Sequence, residues 1–187
     1  MKRYLKLLAL GLGLSLLLVV SGCNDVKKRA DTVDTWQQIE QKKRVVIGLD
    51  DSFVPMGFRQ KDGKLVGYDI DLAKEVFKLY GITPDFQTID WSMKETELRN
   101  QTIDLIWNGY TKTDERAKNV AFSQPYLKNE QYLVSKRSQQ IINDSAMKGK
   151  ILGLQSGSSG YQAYLDEPKV LKQYVKETIQ YDTFNNA

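Results

Sequence analysis

The residues best equipped for chemistry gather in one stretch, 104–126, which reads DLIWNGYTKTDERAKNVAFSQPY. Arg116 offers a planar cation with two parallel N–H donors, the geometry that grips a carboxylate. Three residues before it stands Thr113, a residue type suited to the N-cap of a helix that begins at Asp114. Upstream, the apolar run from Asp104 to Trp107 suits a buried strand, and Asn108-Gly109-Tyr110-Thr111 breaks it. A strand that ends in a glycine turn and hands over to a helix N-terminus collects unpaired backbone N–H groups at one point. The combination describes a corner built for an anion. The same spacing also fits a surface arginine paired with Asp or Glu beside an ordinary capped helix, and spacing alone leaves both readings open.

Composition removes several other chemistries. The chain has no histidine and a single cysteine, Cys23. Zinc sites and Ser-His or Cys-His catalysis therefore lack their usual parts, and no disulfide can form within the chain. No metal or other cofactor is expected, although carboxylates alone could still perform acid–base work. The net charge of +4 comes largely from Lys2, Arg3 and Lys6, since residues 1–22 carry no acid. Without them 24 basic residues face 23 acidic ones, and no basic run interleaves with aromatics. Nucleic acid is not an expected partner.

The elements that must position the corner can be read in order. A short helix from Thr35 through Trp36 and Ile39 leads into a strand, Arg44–Leu49, whose continuous apolar run suits a parallel sheet covered on both faces. Residues 53–58 read as irregular, and Lys61-Asp62-Gly63-Lys64 as a hairpin turn. Asp69–Tyr80 places apolar residues at helical spacing, with Gly81 closing it. Ile82–Ile89 is a second strand, Lys94–Asn100 a second helix, and the strand at Ile103 follows. Alternating strands and helices predict an α/β domain with a parallel sheet, whose ligands lie at the carboxyl ends of the strands. Asp50, Asp90-Trp91 and Asn108–Thr111 occupy those ends. Glu130–Lys136 would cross into a second lobe. There a polar loop at 138–143 and a strand, Lys150–Leu154, precede the Gly/Ser loop Gln155–Gly160 and a helix over Tyr161–Leu165. That loop lacks the G-K-[ST] ending of a phosphate loop; it reads as a second anion-facing helix N-terminus. A helical stretch, Lys169–Lys176, and a strand, Thr178–Tyr181, complete the chain.

The stretch around Arg116 resembles the extracellular amino-acid-binding proteins of ABC importers, solute-binding protein family 3. Their pattern D-L-x-x-x-G-x-T-x-T-x-E-R-x-x-x-x-x-F-S-x-P-Y is matched by Asp104, Leu105, Gly109, Thr111, Thr113, Glu115, Arg116, Phe122, Ser123, Pro125 and Tyr126. Two earlier motifs recur, GLDDSFVPMGF from Gly48 and GYDIDLAKEV from Gly67. The resemblance implies a two-lobe α/β fold of the type II periplasmic-binding-protein kind, with lobe 1 over 36–131 and part of lobe 2 over 132–187. It implies a free amino acid held between the lobes by a monomer that delivers it to ABC permease subunits. Arg116 would take the α-carboxylate, with Asn108, Gly109 and Thr111 beside it. Phe53 and Trp91 match positions that sandwich the ligand side chain. Asp50 matches a position in the pocket's polar network, and Gln155 and Ser159 match contacts from the second lobe. Trp107 is bulkier than the family residue and reads as core.

The resemblance also speaks to the ends. Lys2, Arg3 and Lys6 followed by the apolar run Leu7–Val20 make a signal peptide over residues 1–22, too short for a membrane span of about twenty residues. Val20-Ser21-Gly22-Cys23 is similar to the lipobox of bacterial lipoproteins, so acylated Cys23 would hold the protein extracytoplasmically on the lipid bilayer, with residues 24–35 as a tether. Family members continue past the position of Ala187. Their continuation finishes lobe 2 and carries the acidic residue that receives the ligand's α-amino group. The expectation is a C-terminally truncated member with an incomplete second lobe. Two alternatives stand beside the receptor: a dehydratase of the cyclohexadienyl type on the same fold, with Asp50 as general acid, and a truncated fragment without function.

Overall fold

A computed structural model describes residues 34–186. The expected signal peptide, Cys23 and most of the expected tether lie outside the described residues. Among the described residues no helix is long and apolar enough to cross a membrane.

Helix α1 (Trp36–Lys42) turns sharply at Lys43, whose φ of 51° lies in the left-handed region, and feeds strand β1 (Arg44–Leu49). β1 is the centre of the first sheet. β5 (Thr83–Thr88) runs parallel to it on one side, with Arg44 opposite Thr83 and Leu49 opposite Thr88. β6 (Leu105–Ile106) runs parallel on the other side, opposite Ile47 and Gly48. The strand expected over Asp104–Trp107 is thus only two residues long. Its flanks still bond to β1, through Asp104 N–H to Val46 O at 2.8 Å and Trp107 N–H to Gly48 O at 3.3 Å.

Val45, Ile47 and Leu49 are wholly buried, as a strand covered on both faces requires. Helix α2 (Tyr68–Leu79) lays Ala73 and Phe77 against Val45, Ile47, Ile39 and Ile82. Gly81, with φ of 62°, closes α2 as the sequence implies. Gly48 opens the other side of the sheet, because a Cβ there would fall 2.5 Å from Ile103 Cδ1.

Residues 53–58 are not irregular. β2 (Ser52–Phe53), β3 (Gly57–Arg59) and β4 (Leu65–Val66) form a small antiparallel sheet, closed by the predicted turn at 61–64. Strands of two and three residues are too short to show an alternation in sequence, which is why they read as loop. Its work is to hold Phe53 opposite Gly57 at the mouth of the site.

Helix α3 (Lys94–Arg99) and the one-turn helix α4 (Asp114–Ala117) follow β5 and β6. Residues 121–136 then run without helix or strand to a second, two-stranded parallel sheet of β7 (Ile151–Gln155) and β8 (Glu177–Tyr181). Helix α5 (Ser159–Asp166) follows β7. The helix expected over 169–176 is a single wide turn, Pro168–Lys172. Proline at its start removes a donor, which suits the first turn of a helix.

Candidate functional site

Thr113 caps α4 as its type suggests, accepting the Arg116 N–H at 3.2 Å. The cap orients the whole Arg116 side chain. One guanidinium nitrogen donates to Thr111 O at 2.9 Å and another to Gly157 O at 3.1 Å, so the fork reaches from the first sheet's loops to the loop after β7. The guanidinium lies 4.6 Å from the centroid of the Tyr110 ring, a cation–π contact. Burial pulls the Arg116 pKa below its ordinary value, with Tyr110 and Glu95 opposing. The group still carries its charge at any working pH. Among the described ion pairs none involves Arg116.

A cavity of about 160 Å³ opens at this fork. All nine residues named from the sequence line it: Asp50, Phe53, Trp91, Asn108, Gly109, Thr111, Arg116, Gln155 and Ser159. Five more do so without having been foreseen: Asn129, Glu130, Gln131, Ser158 and Phe184. A larger hollow of about 940 Å³ runs along the outer edge of β6 from Ile103 to Asn108. It is a gap beside a sheet edge. The smaller cavity is where charged and polar side chains from both sheets converge, the usual mark of a ligand site.

The polar contacts knit the two sheets together. Asp50 is 4% exposed; its Oδ1 accepts Ser52 N–H at 2.8 Å and the Ser52 hydroxyl at 2.7 Å. Its Oδ2 accepts Gln155 Nε2–H at 2.5 Å, from the second sheet. Gln155 Oε1 and Asn108 Nδ2 are buried and have no protein partner. Thr111 and Ser159 bring their hydroxyls within 3.2 Å, and Asn129 and Gln131 donate to them at 2.7 and 3.2 Å respectively. Ser158, not Ser159, is the N-cap of α5, accepting Tyr161 N–H at 3.0 Å.

Phe53 and Trp91, the two rings expected to sandwich a ligand side chain, both line the cavity. Phe53 stacks on Phe184, with centroids 5.0 Å apart and planes 25° from parallel. Its edge meets Gly109, where a Cβ would come within 2.8 Å. Gly109 also holds φ of 58°, so glycine is needed there twice over. Trp91 packs edge-on to Tyr110 at 5.8 Å. Trp107 packs against the core as expected.

Lys94 is the unforeseen cation. It is 4% exposed, and its ammonium donates to Trp91 O and to Gly157 O, both at 3.0 Å. Burial, followed by the nearby Arg116 charge, pushes its pKa down to about 8. Lysines on helices are almost always solvated, so no sequence signal distinguishes this one. Tyr126, the last residue of the matched motif, lines the larger hollow and donates to Asp69 at 2.7 Å. Burial pushes the Asp69 carboxyl above its ordinary value.

A parallel sheet with its loops turned to a polar cavity, faced by a second sheet, is the arrangement of an extracytoplasmic solute-binding protein. The chain belongs to the bacterial extracellular solute-binding proteins, family 3, whose profile matches residues 45–182. It is 32% identical over 143 residues to the arginine-binding extracellular protein ArtP of Bacillus subtilis (strain 168), covering 76% of this chain and 56% of that one. It is 29% identical over 156 residues to the L-cystine-binding protein TcyJ of Escherichia coli (strain K12), covering 82% and 58%. An ABC uptake transporter substrate-binding protein from Streptococcus pneumoniae, solved with bound histidine, aligns with a TM-score of 0.80 at 55% identity, covering 82% of this chain and 63% of that one. The fold is the two-lobe fold of these proteins, and the chain spans less than two thirds of their length.

Proposed function

We propose that this chain is an extracytoplasmic receptor that captures a free amino acid between its two lobes and delivers it to the membrane subunits of an ABC importer. The observation that carries this reading is the Arg116 fork. It lines the cavity, held by two backbone carbonyls and without a carboxylate of its own among the described ion pairs. A half-buried guanidinium stabilises a ligand carboxylate with paired, charge-assisted hydrogen bonds. Thr111 and Ser159 supply hydroxyls from opposite lobes. Phe53 and Trp91 supply apolar surface, and Asp50, Asn108 and Gln155 a polar wall. Ligand entry would draw the lobes together, as in other two-lobe receptors that close by a hinge. The relatives' printed names, which give arginine, cystine and histidine as ligands, support an amino acid as the class.

The lipoprotein reading of residues 1–23 belongs to the same proposal: acylated Cys23 would tether a monomeric receptor to the outer face of the cell membrane. In this reading lobe 1 covers 36–131 and lobe 2 runs from 132 onward, a division that the presence of two separate sheets supports. The dehydratase alternative would need Asp50 to give up a proton to a substrate. Both of its oxygens are instead engaged as acceptors, by Ser52 and Gln155, which is a holding role. The test is a thermal-shift screen of the twenty amino acids and of cyclic carboxylates, followed by mass spectrometry of whatever is recovered. A receptor is stabilised by its ligand and returns it intact. A converted product, or no stabilisation by any amino acid, overturns the reading.

A further inference from the structure

Lys94 stands outside the cavity, yet it joins the two sides of the molecule. Neither it nor Gly157 lines the cavity. Its ammonium donates to Trp91 O on its own side and to Gly157 O on the other, both at 3.0 Å. Arg116 donates to the same Gly157 carbonyl at 3.1 Å, so two cations of lobe 1 meet on one oxygen of lobe 2. The backbones approach closely as well: a Cβ on Gly157 would stand 3.0 Å from Ser92 Cα and 3.3 Å from Lys94 Nζ. The Gly157 loop thus seats on the single turn Trp91–Met93 and covers the ammonium. On the lobe 1 side the centroids of the Trp91 and Tyr110 rings lie 5.2 and 5.8 Å from it. Arg116 faces it as a like charge, Glu95 and Asp90 as opposite ones. The Tyr110 hydroxyl is bonded to Glu95 and held neutral by burial. Residues 155–160 bring no titratable side chain.

Resting on the reading above of two lobes that close on an amino acid, we propose that Lys94 is a proton-linked seat for the second lobe. As the lobes close, the Gly157 loop shuts the ammonium off from water, and part of the population gives up a proton to the solvent. An ammonium removed from water beside a second cation favours its neutral form. The contact survives that loss, because a neutral amine keeps two N–H donors for the two carbonyls. In the closed arrangement the Lys94 pKa is down to about 8, with burial the larger cause and Arg116 the next. With the lobes apart the ammonium regains water, and its value returns toward the ordinary 10.5. Between these values the closed form binds fewer protons than the open one, so the share of affinity owed to Lys94 rises with pH across that window. The coupling is the same for any amino acid that closes the lobes, since Lys94 does not line the cavity.

The experiment counts protons by isothermal calorimetry on the full chain. The probes are L-arginine, L-histidine and L-glutamine, and the tightest binder is titrated in phosphate and in Tris, whose ionisation heats differ widely. The dependence of the binding heat on the buffer gives the protons released per ligand bound. The comparison chains are Lys94→Met, which has no proton to lose, and Lys94→Arg, which keeps its proton throughout the range. The amino acid's own titration is common to all three chains and cancels. The wild-type chain should release up to about half a proton more than either variant at pH 8, and about a tenth at pH 7. Equal proton counts in the wild-type chain and a variant that binds overturn the proposal. So does wild-type release that fails to grow between pH 7 and pH 8, whatever the variants do. If the wild-type chain binds none of the probes, the amino-acid reading itself fails and the proposal falls with it.

Discussion

Lys94 gives the sharpest energetic test of the structure. Its ammonium is buried between the Trp91 and Gly157 carbonyls, 5.2 Å from the Trp91 ring centroid, with Arg116 as a second cation nearby. Glu95 and Asp90 pull the other way but do not prevail. The folded-state value of about 8 lies below the ordinary 10.5, so between these values the unfolded chain holds more protons than the folded one. Stability attributable to this group therefore rises with pH across that window, is complete above 10.5, and is lost as pH falls through 8. At 1.36 kcal/mol per pKa unit the full span is about 3 kcal/mol. Lys94→Met removes the titration while keeping much of the volume. Urea denaturation of both chains at half-unit steps from pH 7 to 10.5 reads the difference in unfolding free energy. Other groups titrate in the same range, but they do so in both chains and cancel. The wild-type chain should gain about 3 kcal/mol relative to Lys94→Met over the window. Parallel curves would refute the assignment of Lys94 as a charged, desolvated group. Absolute stability at neutral pH is less informative, since the substitution also removes the donor to Trp91 O and Gly157 O, each bond worth about 1 kcal/mol.

Three further outcomes are expected. Arg116→Ala should weaken amino-acid binding by roughly 2–5 kcal/mol in calorimetry, and Arg116→Lys should recover only part, because a point ammonium cannot make the paired contact. Gly48→Ala should cost about 1–3 kcal/mol in denaturant titrations, since its Cβ would collide with Ile103 across the first sheet. Cys23→Ser should leave an unprocessed, unlipidated precursor in metabolic labelling with palmitate. Continued cleavage before residue 23 with undiminished membrane association would contradict the anchor.

The parts legible in sequence are those with a long period or a matched motif. β1 lies where its apolar run places it, and α2 closes at Gly81 because only a residue at ease with positive φ suits that step. Thr113 and Arg116 were visible because capping and carboxylate recognition each demand particular residue types. What escaped was set by distant contacts. The short strands β2 to β4 are the exception: their pairings are local, Phe53 opposite Gly57 and Phe58 opposite Val66, but two or three residues are too few to show an alternation. Lys94 looks like any helix-surface lysine until Trp91 and the Gly157 loop close over it. Phe184 stacks on Phe53 across 131 positions, and nothing in its local neighbourhood announces that role.

The bond between Asp50 and Gln155 joins positions 105 apart in the chain. The first sheet, by contrast, is complete once β6 has been made, and its contacts are drawn from residues 44–106. A chain exported N-terminus first therefore presents a sheet able to condense before the wall that faces it has emerged. Closing so long a loop is also the slow step in folding, because its entropy is lost before any contact compensates. The cavity is accordingly the last part of the molecule to come into being. In refolding from denaturant, burial of the β1 core should precede recovery of ligand binding, and added ligand should leave that first phase unchanged.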